Sequence, residues 1–203
     1  VPLTITAIPE DGYVFDRWEG TDETSDTLVI MPTKNINLKA IFKKDSSTEC
    51  TISGYIEPDL SSTAADIKSN FKVEVLDLNV SALTDEDGYF ELSVPQSNAE
   101  YVFKISKTNY LAREVRKDTV SNDLALSSKE SPLILWAGDI EINGKSDDAI
   151  NMKDVMKIAI AFDTTPVDAE YKADIDFNKD NAINLKDIMI IAKHFNTTSH
   201  DYK

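Results

Sequence analysis

Shifted by 33 residues, the last third of the chain lies upon itself without a gap. Ala149-Ile150-Asn151-Met152-Lys153-Asp154-Val155-Met156 aligns with Ala182-Ile183-Asn184-Leu185-Lys186-Asp187-Ile188-Met189, and Ile158, Ala159 and Phe162 align with Ile191, Ala192 and Phe195. So many coincidences at one offset mean an internal duplication, and a duplicated unit this short cannot bury its apolar face alone. The two copies are therefore expected to pack on each other.

The second copy contains Asp176-Phe177-Asn178-Lys179-Asp180-Asn181-Ala182-Ile183-Asn184-Leu185-Lys186-Asp187. Side-chain oxygens stand at its first, third, fifth, ninth and twelfth places, with the Ala182 carbonyl between. That is the schedule of an EF-hand loop, in which alternate oxygens wrap a hard cation such as calcium. Asn181 stands where the sharp turn usually has glycine, and asparagine tolerates the left-handed conformation. The first copy is less regular. Asp147, Ala149, Asn151 and Asp154 fall in register, but counting back from Asp154 places Asn143 first and Lys145 third, and an ammonium cannot ligate a cation. Either Asn143 ligates and the third place is skipped, or Asp139 takes the first place while about four residues of 140–146 loop out. An aspartate is the better first ligand, and both versions remain open at this stage. Acidic residues at two helix starts would explain Asp154 and Asp187, but not the whole schedule. Two calcium ions are expected.

Each loop leads into a helix, about residues 151–162 and 184–195. Val155, Ile158, Ala159 and Phe162, like Ile188, Ile191, Ala192 and Phe195, have the spacing of one core stripe per helix. Met152, Met156 and Ile160, and Leu185, Met189 and Ile190, are then left over on other faces. A module this small cannot bury two stripes per helix, so part of the surplus is expected to form a partner surface, a role that suits adaptable methionine. Residues 166–173 read as a short connecting helix with proline in its first turn.

Upstream, residues 1–44 alternate apolar and polar positions in short bursts around turn residues, as in Leu3-Thr4-Ile5-Thr6-Ala7 and Leu38-Lys39-Ala40-Ile41-Phe42, which predicts a small β unit with Trp18 in its core. Residues 43–49 read as a polar linker. Residues 51–137 alternate again in short runs separated by Gly, Pro and Asp turns, which predicts a β-sandwich. Within it, Asp85-Glu86-Asp87-Gly88 reads as a hairpin turn rather than a cation loop, because the twelfth place from Asp85 is Gln96.

The formal net charge of −15 argues against nucleic-acid and anionic-membrane partners, and no apolar run is long enough to span a membrane. Cys50, the single cysteine, cannot form an internal disulfide and reads as an incidental thiol at a strand start. His194 and His200, the only histidines, have no serine or cysteine partner for nucleophilic catalysis and read as solvated, so no enzyme is expected. The chain opens on Val inside a strand-like pattern and reads as a C-terminal piece of a longer protein.

Two resemblances sharpen these expectations. Residues 12–20, Val29-Ile30-Met31-Pro32 and the closing Lys39-Ala40-Ile41-Phe42 resemble the divergent internalin-type B repeat of bacterial surface proteins. The duplicated loop-helix, the Asn-x-x-Asp that closes each loop, the Ile188-Met189-Ile190-Ile191 run and the Lys193-His194-Phe195 ending resemble a type II dockerin. The preceding sandwich, which ends Leu135-Trp136-Ala137-Gly138-Asp139-Ile140, makes the pair similar to the cellulosomal X module with its dockerin. The resemblance implies a multidomain fold: a small β repeat (1–44), an immunoglobulin-like β-sandwich or X module (51–137) and an all-α dockerin (138–203). It implies a secreted, cell-surface-associated adaptor of polysaccharide degradation. The partner would be a type II cohesin of a scaffoldin or anchoring protein, met by Met152, Lys153, Met156, Lys157, Ile160, Leu185, Lys186, Met189, Ile190 and Lys193. Trp136 would sit near the seam of sandwich and dockerin. The second reading is a carbohydrate-binding or adhesive surface module, resting on Tyr13, Trp18 and Tyr55.

Overall fold

A computed structural model describes residues 1–10, 12–31, 35–45, 49–76, 78–118, 120–142 and 144–202. The chain divides into two compact units, Val1–Glu49 and Cys50–Lys203.

In the first unit, β1 (Leu3–Thr6) pairs antiparallel with β3 (Thr27–Ile30), and β2 (Tyr13–Glu19) pairs antiparallel with β4 (Lys39–Lys44). Ala7, Trp18 and Leu28 are its buried core. The Trp18 indole N–H, which burial would otherwise leave without water, donates to the Ser25 carbonyl at 2.9 Å. Of the expected linker, Ser46, Ser47 and Thr48 lie outside the described residues.

The second unit begins with β5 (Glu49–Pro58), whose inward and outward residues alternate strictly, so that Cys50, Ile52 and Ile56 are buried. Two four-stranded sheets follow from the same alternation. One has the order β10 (Arg113–Lys117), β9 (Tyr101–Ser106), β6 (Lys72–Val75), β7 (Val80–Leu83). In the other, β5 pairs with β8 (Tyr89–Pro95), β11 (Leu124–Ala125) and β12 (Leu133–Leu135), the last two in parallel. Phe71, Phe90 and Phe103 fill the space between them. The Asp85 turn precedes β8: its carboxylate accepts from the Asp87 and Tyr89 amides, and Gly88 adopts φ +82°. A Cβ at Gly88 would lie 2.3 Å from the Ile56 carbonyl oxygen, so glycine is required there on two counts.

The expected succession of an immunoglobulin-like sandwich and a separate all-α dockerin is overturned. The chain is predominantly β, and residues 138–203 contain only two α-helices among the described residues, α1 (Met152–Ile160) and α2 (Leu185–Lys193). Short extended pieces tie the copies together crosswise. β13 (Ala149–Ile150) of the first loop pairs with β14 (Thr197–Thr198) after the second helix, and Thr164 after the first helix bridges to Ile183 of the second loop. The pairing is reciprocal: Asn196 N donates to Ile150 O at 2.7 Å, and Asp163 N to Ile183 O at 2.8 Å. Ile150, Ile158, Ile183 and Ile191 are thereby buried in one core cluster with the sandwich residues. The core of the paired copies is thus continuous with that of the sandwich.

Two helical expectations also fail. Residues 166–173 form turns, because Asp168 folds back to accept from the backbone N–H and hydroxyl of Thr165 instead of opening a helix. Each long helix stops two residues early, shortly before Asp163 and Asn196 take up left-handed φ. Phe162 and Phe195, expected in the core, consequently lie past the helix ends and are exposed, and Ala159 and Ala192 are exposed as well.

Candidate functional site

The two loops are built alike. Asn184 caps α2, accepting from Lys186 N, while Asp187 reaches back to accept from Asn184 N at 3.0 Å. Asn151 and Asp154 repeat this capping box at α1, with Asn151 N to Asp154 Oδ2 at 2.7 Å. The other carboxylate oxygen of each closing aspartate takes an amide from the start of its loop, Phe177 N to Asp187 at 2.9 Å and Ile140 N to Asp154 at 2.7 Å. Asp176 Oδ1 accepts from Asp180 N at 3.2 Å, and Asp139 Oδ1 from Asp147 N at 3.3 Å. Asp139 therefore stands in the first loop where Asp176 stands in the second. Within the longer first loop Ile142 and Lys145 exchange backbone hydrogen bonds, and Lys145 is exposed. Asn143, the other candidate for the first place, lies outside the described residues.

Asp139, Asp154, Asp176 and Asp187 are all buried. Burial pushes Asp139 up to about 6, although Ser146 and the Asp147 amide hydrogen-bond to it, and burial also raises Asp154 and Asp187. Asp147 and Asp180 behave oppositely: hydrogen bonds from Lys153 and Lys186, both at 2.6 Å, hold their carboxyls below the usual range. Asn178 contributes its side-chain oxygen to Asp180 N at 3.0 Å. Among the described residues, no three His, Cys, Asp or Glu side chains form a ready-made metal cluster. The loops are nevertheless lined by aspartate and asparagine side chains and one carbonyl each, Ala182 O in one and Ala149 O in the other; Asn151 and Asn184 give their oxygens to the helix caps and donate from their amide NH2 to Asp147 and to Ala182 O. Asp139, Asp154 and Asp187, buried carboxylates with raised pKa and no ammonium bonded to them among the described residues, fit a hard divalent cation, which supplies the positive charge that burial demands.

The helices carry the apolar surplus outward. Met152, Met156 and Ile160 on α1 and Leu185 and Met189 on α2 are exposed, from 58% for Met152 to 73% for Ile160. Lys153, Lys186 and Lys193 are exposed beside them, and Lys157 is half-buried. Ile190 departs from this group, being half-buried against the shared core. Phe162 and Phe195 add to the exposed apolar surface.

Sequence reasoning missed most of the seam between α2 and the sandwich. Trp136 lies there as expected, stacked between His194 (centroids 4.3 Å apart, planes 8° apart) and Tyr202 (4.2 Å, 27°). Tyr202 Oη accepts from Trp136 N and donates to Leu111 O. Asp59, which follows β5, receives both Lys193 Nζ at 2.6 Å and His194 Nε2 at 2.7 Å. His194 is thus packed and paired rather than solvated. Asn109 is 2% exposed and joins Asp174 to Glu141 N. Tyr171 Oη donates to Asp176 at 2.7 Å, and burial together with that carboxylate pushes the phenol up to about 12. A lone Asp59 or Asn109, far away in sequence from its partners, carries no signal for such pairings. No described helix is long and apolar enough to cross a membrane.

Residues 2–46 match the family described as Divergent InlB B-repeat domain. Over 132 residues the chain is 40% identical to Cellulosomal-scaffolding protein B of Acetivibrio thermocellus, and equally to Cellulosomal-scaffolding protein A of that species. These matches cover 63% of this chain but only 17% and 7% of the two scaffolding proteins. Among solved structures, the chain is 46% identical to a chain in each of two type II cohesin–X–dockerin complexes from Acetivibrio cellulolyticus, one an N-terminal and one a C-terminal interface mutant. The alignments cover 75% of this chain and 99% of the other, with TM-scores of 0.71 and 0.72.

Proposed function

We propose, from the premise that this chain belongs to the X-module/dockerin family of cellulosomal proteins, that residues 50–203 act as a calcium-dependent, non-catalytic adaptor for a type II cohesin. The observation that carries this reading is the exposed row Met152, Met156 and Ile160 with Leu185 and Met189, on two helices that each start from an acid-lined loop. In each loop, calcium would supply two positive charges beside carboxylates that burial keeps from water. The residues that would hold it are Asp139, Asp147, Ala149, Asn151 and Asp154 in the first loop, and Asp176, Asn178, Asp180, Ala182, Asn184 and Asp187 in the second. Because Asp154 and Asp187 are also the third residues of their helices, holding the loop and holding the helix start are one act. The helix faces are then presented as a fixed pair, and the sandwich supports them through the Asp59 and Trp136 contacts. The parent protein would be attached in this way to a cellulosome or a cell-surface anchor outside the cell.

Isothermal titration of a type II cohesin into the chain tests the proposal. Tight binding in calcium and none in EDTA are expected, with Met156→Glu and Met189→Glu each weakening it by about 10- to 100-fold. Binding that survives complete chelation, or that ignores both substitutions, refutes it.

A further inference from the structure

Lys153 and Lys186 occupy the second position of α1 and α2, the end at which the helix dipole disfavours a cation. Both lysines nevertheless make the same contact, from Nζ to the aspartate six residues back, at 2.6 Å in each copy. Those aspartates, Asp147 and Asp180, hold the fifth place of their loops. Both lysine side chains are otherwise exposed, at 65% and 68%, so the pairing is not forced by burial. One geometry repeated in two copies, against the local dipole, points to a shared role.

We propose that Lys153 and Lys186 are built-in counter-ions of the loops. Each ammonium neutralises the fifth-place carboxylate that it touches; when that carboxylate turns to a divalent cation, the ammonium is freed on the face that already carries it beside Met152 and Met156, or Leu185 and Met189. An ammonium hydrogen-bonded to a liganding carboxylate would lie within about 5 Å of a doubly charged ion, and like charges at that range repel. The lysines thus lower cation affinity, and filling the loops adds two positive charges to the docking face. This inference rests on the calcium reading and goes beyond it by naming the groups that report occupancy to the partner surface.

The test uses calcium chloride as titrant at low ionic strength, on the full chain and on Lys153→Met, Lys186→Met and the double variant. Methionine keeps helix propensity and removes the charge. Each variant is expected to bind calcium about two- to five-fold more tightly at the affected loop, the range of an exposed ion pair. In parallel, the lysines of the unsubstituted chain are labelled by reductive ¹³C-methylation, and the two resonances assigned to Lys153 and Lys186 by the variants are expected to shift on calcium addition. Measurable calcium heat with unaltered affinities in the variants, or with unmoved resonances, overturns the counter-ion role while leaving the calcium reading intact. No calcium heat in any form of the chain overturns both.

Discussion

Replacing Trp136 by Ala tests whether sandwich and helices form one cooperative body. The indole stacks on His194 at 4.3 Å and on Tyr202 at 4.2 Å, and an aromatic pair contributes about 0.5–1.5 kcal/mol beyond its buried area, so two such pairs account for about 1–3 kcal/mol. Full truncation of a buried Trp costs about 3–5 kcal/mol, and Trp136 is only partly buried, so about 3 kcal/mol is the expected total. For a unit of this size that lowers Tm by about 6–12 °C. The measurement is amide hydrogen exchange in EDTA, which keeps metal linkage out of the result. If residues 50–203 open together, peptides from β9 and from α2 lose protection by the same factor, about 100-fold. Loss confined to α2, with β9 as protected as before, would show two independently stable parts in mere contact and would refute the reasoning.

Two further outcomes follow from single groups. Burial works against ionisation of Asp59, but Lys193 and His194 more than offset it and hold the carboxyl below its ordinary range. Its stabilising contribution is therefore complete above the unfolded-state value of about 4 and is lost as pH falls through the lower folded value. Asp59→Asn should flatten the acid limb of a plot of urea midpoint against pH; an unchanged limb would show that the pairing contributes nothing. Gly88→Ala combines a left-handed φ with a 2.3 Å approach to Ile56 O and should cost about 2–4 kcal/mol in a denaturant titration, whereas a cost below 1 kcal/mol would contradict the turn geometry.

The starts of both helices were legible because Asn-x-x-Asp is a capping box written in sequence, and the strands were legible because alternation is local. The helix ends were not: the apolar stripe continues to Phe162 and Phe195, but the chain has already turned, since Asp163 and Asn196 must reach back to the other copy's loop. The same crosswise pairing explains why an all-α unit was expected wrongly. Two-residue strands have no period of their own, and their partners lie in the opposite repeat. The two versions of the first loop could not be separated by spacing, because the extra residues move Asp139 out of count; the bond it accepts from Asp147 N, matching that of Asp176 from Asp180 N, restores the correspondence. His194 was misread because nothing near it in sequence marks Asp59 or Trp136 as a neighbour.

The reciprocal bonds of Asn196 to Ile150 and Asp163 to Ile183, with Tyr202 returning to Trp136 and Asp59 to α2, bear on how such a module can be inherited or engineered. A segment cut at Gly138 and joined to a foreign sandwich would leave behind Asp59, Leu111 and Trp136, three places far apart in sequence that its last turns require. In this chain the duplicated segment is thus no freely portable cassette: the compact unit that contains all of these contacts is Cys50–Lys203, so a graft that keeps them starts at β5.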